Sequence, residues 1–170
     1  VQKMRQLGVR HIGIFTGDRL AVATRVGQAV GVDSIEAECL PEEKHEELKY
    51  LVRKGHRILV VGDGINDAPV LAQADVSAAV ATSPDVARDG ADVVLLNDDL
   101  NVLPVMMEQA RRTHQIIHQN LTWASAYNLV AVPLAVFGYV TPWIAALGMS
   151  FSSLLVLGNA LRLLKTKKAV

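Results

Sequence analysis

Charge is missing from a long stretch of this 170-residue chain: between Thr113 and Leu161 there is no Asp, Glu, Lys or Arg. All 17 acidic residues lie at or before Glu108, so a formal net charge of zero hides an acidic head and a basic tail. A soluble chain of this size has little material with which to cover an uncharged run of 49 residues. The run is long enough for two membrane spans of about 20 apolar residues each. Cysteine is nearly absent; Cys39 stands alone, which excludes a disulfide framework and fits a reducing compartment. There is no internal repeat, no low-complexity tract and no signal-peptide pattern. Hydrophobic residues make up 51% of the chain, high for a soluble domain.

A turn divides the uncharged run at Gly138-Tyr139-Val140-Thr141-Pro142-Trp143, with Tyr139 and Trp143 of the type that collects at membrane interfaces. Arg111 and Arg112 precede the run; Arg162, Lys165, Lys167 and Lys168 follow it. The expected organisation is a head over residues 1–100, a connecting helix over 101–118, transmembrane helices over 119–141 and 144–164, and a tail over 165–170. The basic flanks put head and tail on the cytoplasmic side.

The head alternates strand and helix patterns. Strands are expected over Val9–Phe15, Ile35–Leu40, Arg57–Val61, Val76–Ala81 and Val93–Leu96. Helices are expected over Leu20–Val30, from Pro41 to a stop at Gly55, over Asn66–Ala74, and from about Asn101 onward. Such alternation predicts an α/β fold with a parallel sheet covered on both faces.

The most informative stretch is Val60-Val61-Gly62-Asp63-Gly64-Ile65-Asn66-Asp67-Ala68-Pro69. A β-branched run enters a glycine-rich turn carrying two carboxylates, at the end of a strand where open α/β sheets place their ligands. Asp63 and Asp67 together suit Mg²⁺, which takes a few carboxylates plus phosphate oxygens and water. An Asp-Gly turn alone would account for Gly64 but not for the second acid or Pro69. Thr16-Gly17-Asp18 and Lys44 fall at the ends of two other strands. A hydroxyl, a backbone N–H, an ammonium and carboxylates are what phosphoryl transfer requires.

These three words, Thr16-Gly17-Asp18, Leu40-Pro41-Glu42-Glu43-Lys44 and Gly62 to Pro69, resemble the phosphorylation domain of P-type ATPases, a branch of the haloacid-dehalogenase-like fold. The resemblance runs over essentially the whole chain. It implies a partial haloacid-dehalogenase-like α/β domain followed by an α-helical transmembrane hairpin. It implies Asp63 as Mg²⁺ ligand, with Asp67 bracing the metal site and Asn66 assisting at the phosphate. Thr16 and Gly17, with Asp18 beside them, would contact an aspartyl phosphate whose charge Lys44 balances, with ATP as substrate. The family's phosphorylated aspartate lies in Asp-Lys-Thr-Gly-Thr, which does not occur between Val1 and Val170. The family's actuator motif and nucleotide-binding domain are also missing from this stretch. The expectation is a carboxyl-terminal piece of a longer pump that does not hydrolyse ATP alone.

Polar side chains within a span mark a pathway. The first span holds Tyr127-Asn128, and the second opens with Met149-Ser150-Phe151-Ser152-Ser153 and closes with Asn159-Ala160-Leu161-Arg162-Leu163. Met149 and Ser153, four apart, share a helix face, and a thioether favours Cu(I) over hard ions. Methionine as packing and serine as a small helix contact remain alternatives for these positions. The same words look like the Cu(I)-transporting heavy-metal P-type ATPases, and closest to the subgroup feeding copper to cytochrome oxidase assembly. That resemblance implies Tyr127, Asn128, Met149 and Ser153 as lining of the copper site, a copper chaperone and membrane lipid as partners, no nucleic acid, and a bacterial plasma membrane location. The zinc, cadmium and lead relatives carry an acid in the last span, and none exists here beyond Glu108. Rival readings are a membrane-anchored phosphatase of the same fold, a pump for another metal such as zinc, and an inactive piece that binds partner helices. His114 and His118 are expected to form an interfacial polar turn, Met106 and Met107 to pack, Cys39 to be a small buried residue, and Asp98 and Asp99 to be a loop or helix-start pair.

Overall fold

The structure, a computed structural model, describes residues 1–62, 67–80, 90–96 and 99–164. It divides into two compact units, Val1–Pro104 and Val105–Val170. The first unit carries α1 (Gln2–Gln6), β1 (Gly13–Phe15), α2 (Leu20–Val30), β2 (Ser34–Glu36), α3 (Pro41–Arg53), β3 (Leu59–Gly62), α4 (Ala68–Leu71), β4 (Val76–Val80) and β5 (Val93–Leu95). All strand pairs are parallel, as a βαβ chain requires. They form two sheets rather than the one expected: β1 with β2, and β3–β4–β5 in that order. Among the described residues β1 and β3 therefore each have one strand neighbour only.

The core lies around β4, where Ser77, Ala78, Ala79 and Val80 are buried, with Leu71 of α4 and Leu95 of β5 against the same layer. A strand buried on both faces is the usual state of a parallel sheet. Its small alanines leave room for a close layer on either side.

One device recurs at the amino ends of the strands. Asp33, one residue before β2, accepts the Ile12 N–H at 2.8 Å; Asp75, before β4, accepts the Ile58 N–H at 2.9 Å; Asp92, before β5, accepts the Ser77 N–H at 2.8 Å. Each carboxylate thus satisfies a backbone donor at or just before the start of the neighbouring strand, where an unpaired N–H would be costly. Arg5 also binds Asp33 at 2.9 Å, and Ser77 Oγ donates to Asp92 at 2.9 Å. The Arg5 guanidinium first, and then the Ile12 N–H, hold the Asp33 carboxyl below the usual carboxylate range. The Ser77 N–H, and then its hydroxyl, do the same for Asp92.

Several elements are shorter than their patterns suggest. The β2 strand stops at Glu36 because Glu38 adopts a left-handed φ of 57° and Leu40 already serves as the N-cap of α3. Of the helix expected over Asn66–Ala74, the described residues carry one turn, Ala68–Leu71, and Asn66 lies outside them. By contrast α2 spans its expected residues, and Gly55, at φ 82°, follows the end of α3. Asp99 accepts the Asn101 N–H at 2.9 Å at the start of the long helix, the expected helix-start role; Asp98 lies outside the described residues.

That helix, α5 (Val102–Val136), runs 35 residues without a break, so the connecting helix and the first expected span are a single element. Gly138, at φ 80°, follows it, and α6 (Pro142–Ala160) begins at a Thr141 cap whose Oγ1 accepts the Ile144 N–H at 3.4 Å. A 3-10 turn, Leu161–Leu164, continues α6. Among the described residues one stretch, Pro142–Leu164, is long and apolar enough to cross a membrane. The first expected span, 119–141, falls short of that measure, because Gln119, Asn120, Thr122, Tyr127 and Asn128 lower the hydropathy of α5.

Two outcomes follow. A Cβ on Gly27 would stand 2.8 Å from Ile35 Cγ1 and 3.1 Å from Val32 Cγ2. Gly27→Ala should therefore destabilise the head by about 1–2 kcal/mol, overpacking outweighing helix propensity, read as faster hydrogen exchange at α2 amides. The lowered carboxyls of Asp33 and Asp92 contribute stability that is complete above the ordinary carboxylate pKa and is lost as pH falls toward their folded values. Asp92→Asn should flatten that acid limb; an unchanged acid midpoint would contradict the role given to Asp92.

Candidate functional site

Thr16, Gly17 and Asp18 leave the carboxyl end of β1 and are laced to the loop that precedes α3. The Thr16 N–H donates to Glu36 O at 2.9 Å, the Cys39 N–H to Thr16 O at 3.0 Å, and the Glu38 N–H to Asp18 O at 2.9 Å. Within the turn, Thr16 Oγ1 accepts the Asp18 N–H at 3.1 Å, which orients the hydroxyl. A Cβ on Gly17 would meet only Cys39 O, at 3.7 Å, an ordinary contact. The fold itself thus leaves room for a side chain there, and a glycine suits close approach of a ligand to the backbone. Burial first, and then Glu36 and Glu43, push the Cys39 thiol up, so it stays protonated and is a poor metal ligand.

The α3 helix starts from this loop. Pro41 occupies its first turn, and Glu43 reaches back to accept the Leu40 N–H at 2.8 Å, one half of a capping box, since Leu40 offers no side-chain acceptor. One turn in, the Lys44 N–H bonds Leu40 O, and its Nζ donates to Asp67 Oδ1 at 3.2 Å. Both side chains are mostly covered, 15% and 19% exposed. Asp67 comes this close to β3 because Gly62 lacks a side chain: a Cβ there would stand 3.0 Å from Asp67 Cβ and 3.3 Å from Leu71 Cδ2.

Lys44 and Asp67 are thus brought together, and the loop before α3 ties Lys44 to the turn after β1: Leu40 O accepts the Lys44 N–H, while the Cys39 and Glu38 N–H groups donate to Thr16 O and Asp18 O. Asp63 and Asn66 lie outside the described residues. A carboxylate bonded by lysine through one oxygen has a second hard oxygen to offer, so the donor chemistry of Asp67 fits Mg²⁺. Among the described residues no group of three or more His, Cys, Asp and Glu side chains is assembled for a metal.

In the second unit the four expected cargo residues differ in exposure. Tyr127 is half-buried against α6, its hydroxyl 2.6 Å from where a Cβ on Gly148 would be. Asn128 and Ser153 are exposed, and Met149 is 65% exposed. Other polar residues join the two helices. Trp123 Nε1 donates to Ser152 Oγ at 3.2 Å, and Asn159 Nδ2 donates to Asn120 Oδ1 at 2.9 Å; at the end of α6 itself, Arg162 donates to Asn159 Oδ1 at 2.8 Å. Trp123 and Asn120 escaped the sequence reading, although their spacing with Tyr127 places all three on one helix face. His114 and His118 meet edge to face, ring centroids 4.4 Å apart.

Comparison with known proteins gives this geometry a context. Residues 1–75 match the haloacid dehalogenase-like hydrolase family. The chain is 44% identical over 169 residues to the nitrogen fixation protein FixI of Rhizobium meliloti (strain 1021), covering 99% of this chain and 22% of that protein. It is 42% identical over 167 residues to a copper-exporting P-type ATPase of Bacillus subtilis (strain 168), covering 98% of this chain and 21% of the relative. The crystal structure of a zinc-transporting PIB-type ATPase in its E2.Pi state matches with a TM-score of 0.87 at 33% identity, over 97% of this chain and 27% of that one. The chain spans about a fifth of the length of these curated relatives. With identity above 40% along nearly its whole length and a matching backbone course, this chain is similar throughout to part of the P-type ATPases.

Proposed function

We propose that this chain is the carboxyl-terminal part of an ATP-driven Cu(I) pump that works through an aspartyl-phosphate intermediate. The observation that carries the reading is the Lys44–Asp67 pair, 3.2 Å apart and tied through the start of α3 to Thr16, Gly17 and Asp18. In the proposed reaction an aspartate carboxylate elsewhere in the longer protein attacks the γ-phosphorus of ATP and ADP leaves. Water later attacks the aspartyl phosphate and releases inorganic phosphate. The Thr16 hydroxyl and the Gly17 N–H hold phosphate oxygens, Lys44 offsets their charge, and Asn66 donates to them. Asp63 and Asp67 would hold Mg²⁺, which when bound neutralises charge on the transferred phosphoryl group. Among the described residues β1 and β3 each pair with one strand, which supports the addition of a strand from the longer protein beside them. Without that strand and its aspartate, the 170 residues alone should be inactive.

The cargo assignment rests on the uncharged hairpin and on Met149, Ser153, Asn128 and Tyr127 near the middle of its helices. A soft thioether beside neutral polar groups suits Cu(I), which needs no carboxylate for charge balance. The name of the zinc-transporting structural relative favours a second reading, a divalent cargo. Zinc readily takes carboxylate as well as nitrogen and sulfur ligands, and no acid lies between Thr113 and Leu161. The protein would sit in a bacterial plasma membrane with its head cytoplasmic, receive Cu(I) from a chaperone, and couple its two units through α5.

In the longer protein, Asp63→Asn should abolish phosphoenzyme turnover; full activity in that variant would remove the Mg²⁺ role. Lys44→Met should slow phosphoenzyme formation by about 10²–10³-fold, the usual effect of deleting one charge stabiliser. Met149→Ala should weaken Cu(I) stimulation yet leave phosphorylation by inorganic phosphate intact. Equal loss with Cu(I) and Zn(II) would instead assign Met149 to packing.

A further inference from the structure

The contacts between α5 and α6 form a ladder. On α5, Asn120, Trp123 and Tyr127 lie three and four residues apart; on α6, Gly148, Ser152 and Asn159 lie four and seven apart. The rows meet antiparallel as Tyr127 with Gly148, Trp123 with Ser152, and Asn120 with Asn159. The first of these rungs has an unusual fit. A Cβ on Gly148 would stand 2.6 Å from the Tyr127 hydroxyl oxygen, but 3.5 Å from its Cζ and 3.7 Å from its Cε2. The obstruction is the hydroxyl alone, because the ring atoms would be at ordinary contact distance. Glycine inside a helix is unfavourable relative to alanine, so close approach of the neighbouring helix accounts for it, as small residues do between membrane helices.

We propose that Tyr127 and Gly148 are positioning residues: the Tyr127 hydroxyl seats in the notch left by the absent Cβ and sets the α5–α6 spacing. Together with the Trp123–Ser152 bond the notch fixes the register. A slip of one residue turns an α-helix by about 100° and would set Met149, not Gly148, against Tyr127. The ladder therefore keeps Met149 and Ser153, each one residue beyond a rung, off the α5 contact and exposed. Through this spacing the pair acts on the placement of the cargo residues; that last step rests on the Cu(I) reading.

The test is a double-variant cycle in the longer protein: Gly148→Ala, Tyr127→Phe, and both together. It has two readouts, thermal unfolding in detergent without metal and the Cu(I) concentration giving half-maximal ATPase stimulation. Gly148→Ala should lower the unfolding midpoint and raise the half-stimulating Cu(I) concentration by about tenfold. Adding Tyr127→Phe removes the obstructing oxygen and should restore both readouts to the level of Tyr127→Phe alone. Additive losses in unfolding would overturn the notch. Rescue of unfolding without rescue of Cu(I) dependence would overturn its tie to cargo while leaving the spacing role in place. A Tyr127→Phe variant that loses Cu(I) stimulation while Gly148→Ala is silent would make Tyr127 a ligand instead.

Discussion

Opposite charges that are mostly withdrawn from water hold their neighbours in place, because separating them leaves each one uncompensated. Lys44 and Asp67 are such a pair, and the head is arranged so that they meet. The amino end of α3 delivers Lys44 from a loop already laced to Thr16 and Asp18. The bare backbone of Gly62 lets the start of α4 close on β3 and delivers Asp67. The candidate site lies at the carboxyl ends of the strands, while Asp33, Asp75 and Asp92 secure their amino ends. Acids thus serve at both edges of the sheets, as structural acceptors at one and as a charge partner for lysine at the other.

The second unit obeys a different constraint. Where water is scarce, polar side chains must find one another, and those of α5 and α6 do so rung by rung. The same contacts that satisfy Trp123, Asn120 and Asn159 also decide which residues stay exposed. Met149 is outward because Gly148 and Ser152 are inward. In the proposed Cu(I) reading, selecting a soft cargo without any charge in the span would depend on that division of faces.

Much of this was legible in the sequence, for identifiable reasons. The α2 and α3 boundaries follow from local chemistry, namely helix formers without internal proline in one case and Pro41 with Gly55 in the other. The Gly138 to Pro142 turn was legible for the same reason. Strand ends were less so, since β2 is cut short by the left-handed Glu38 and by bonds to a loop twenty residues away. The aspartates before the strands left a readable signal, an acid one position ahead of each of three strands, but only the parallel register reveals whose N–H they accept. In the head, Lys44 and Asp67 were chosen from their motifs, and their contact is a product of tertiary packing. In the hairpin, residue type pointed to Tyr127, whereas its partner Gly148 has no side chain to draw notice. The split into two parallel sheets was not readable, because it depends on which strand edges lack a neighbour.

The central claim is that this head serves metal-driven phosphoryl transfer to an aspartate. The most direct measurement is incorporation of label from γ-labelled ATP into the longer protein with Mg²⁺, comparing Cu(I), Zn(II) and no cargo metal. The expected result is a hydroxylamine-sensitive acyl phosphate that turns over faster with Cu(I) than with Zn(II). Label on serine or threonine, or an acyl phosphate whose turnover ignores both metals, would contradict it.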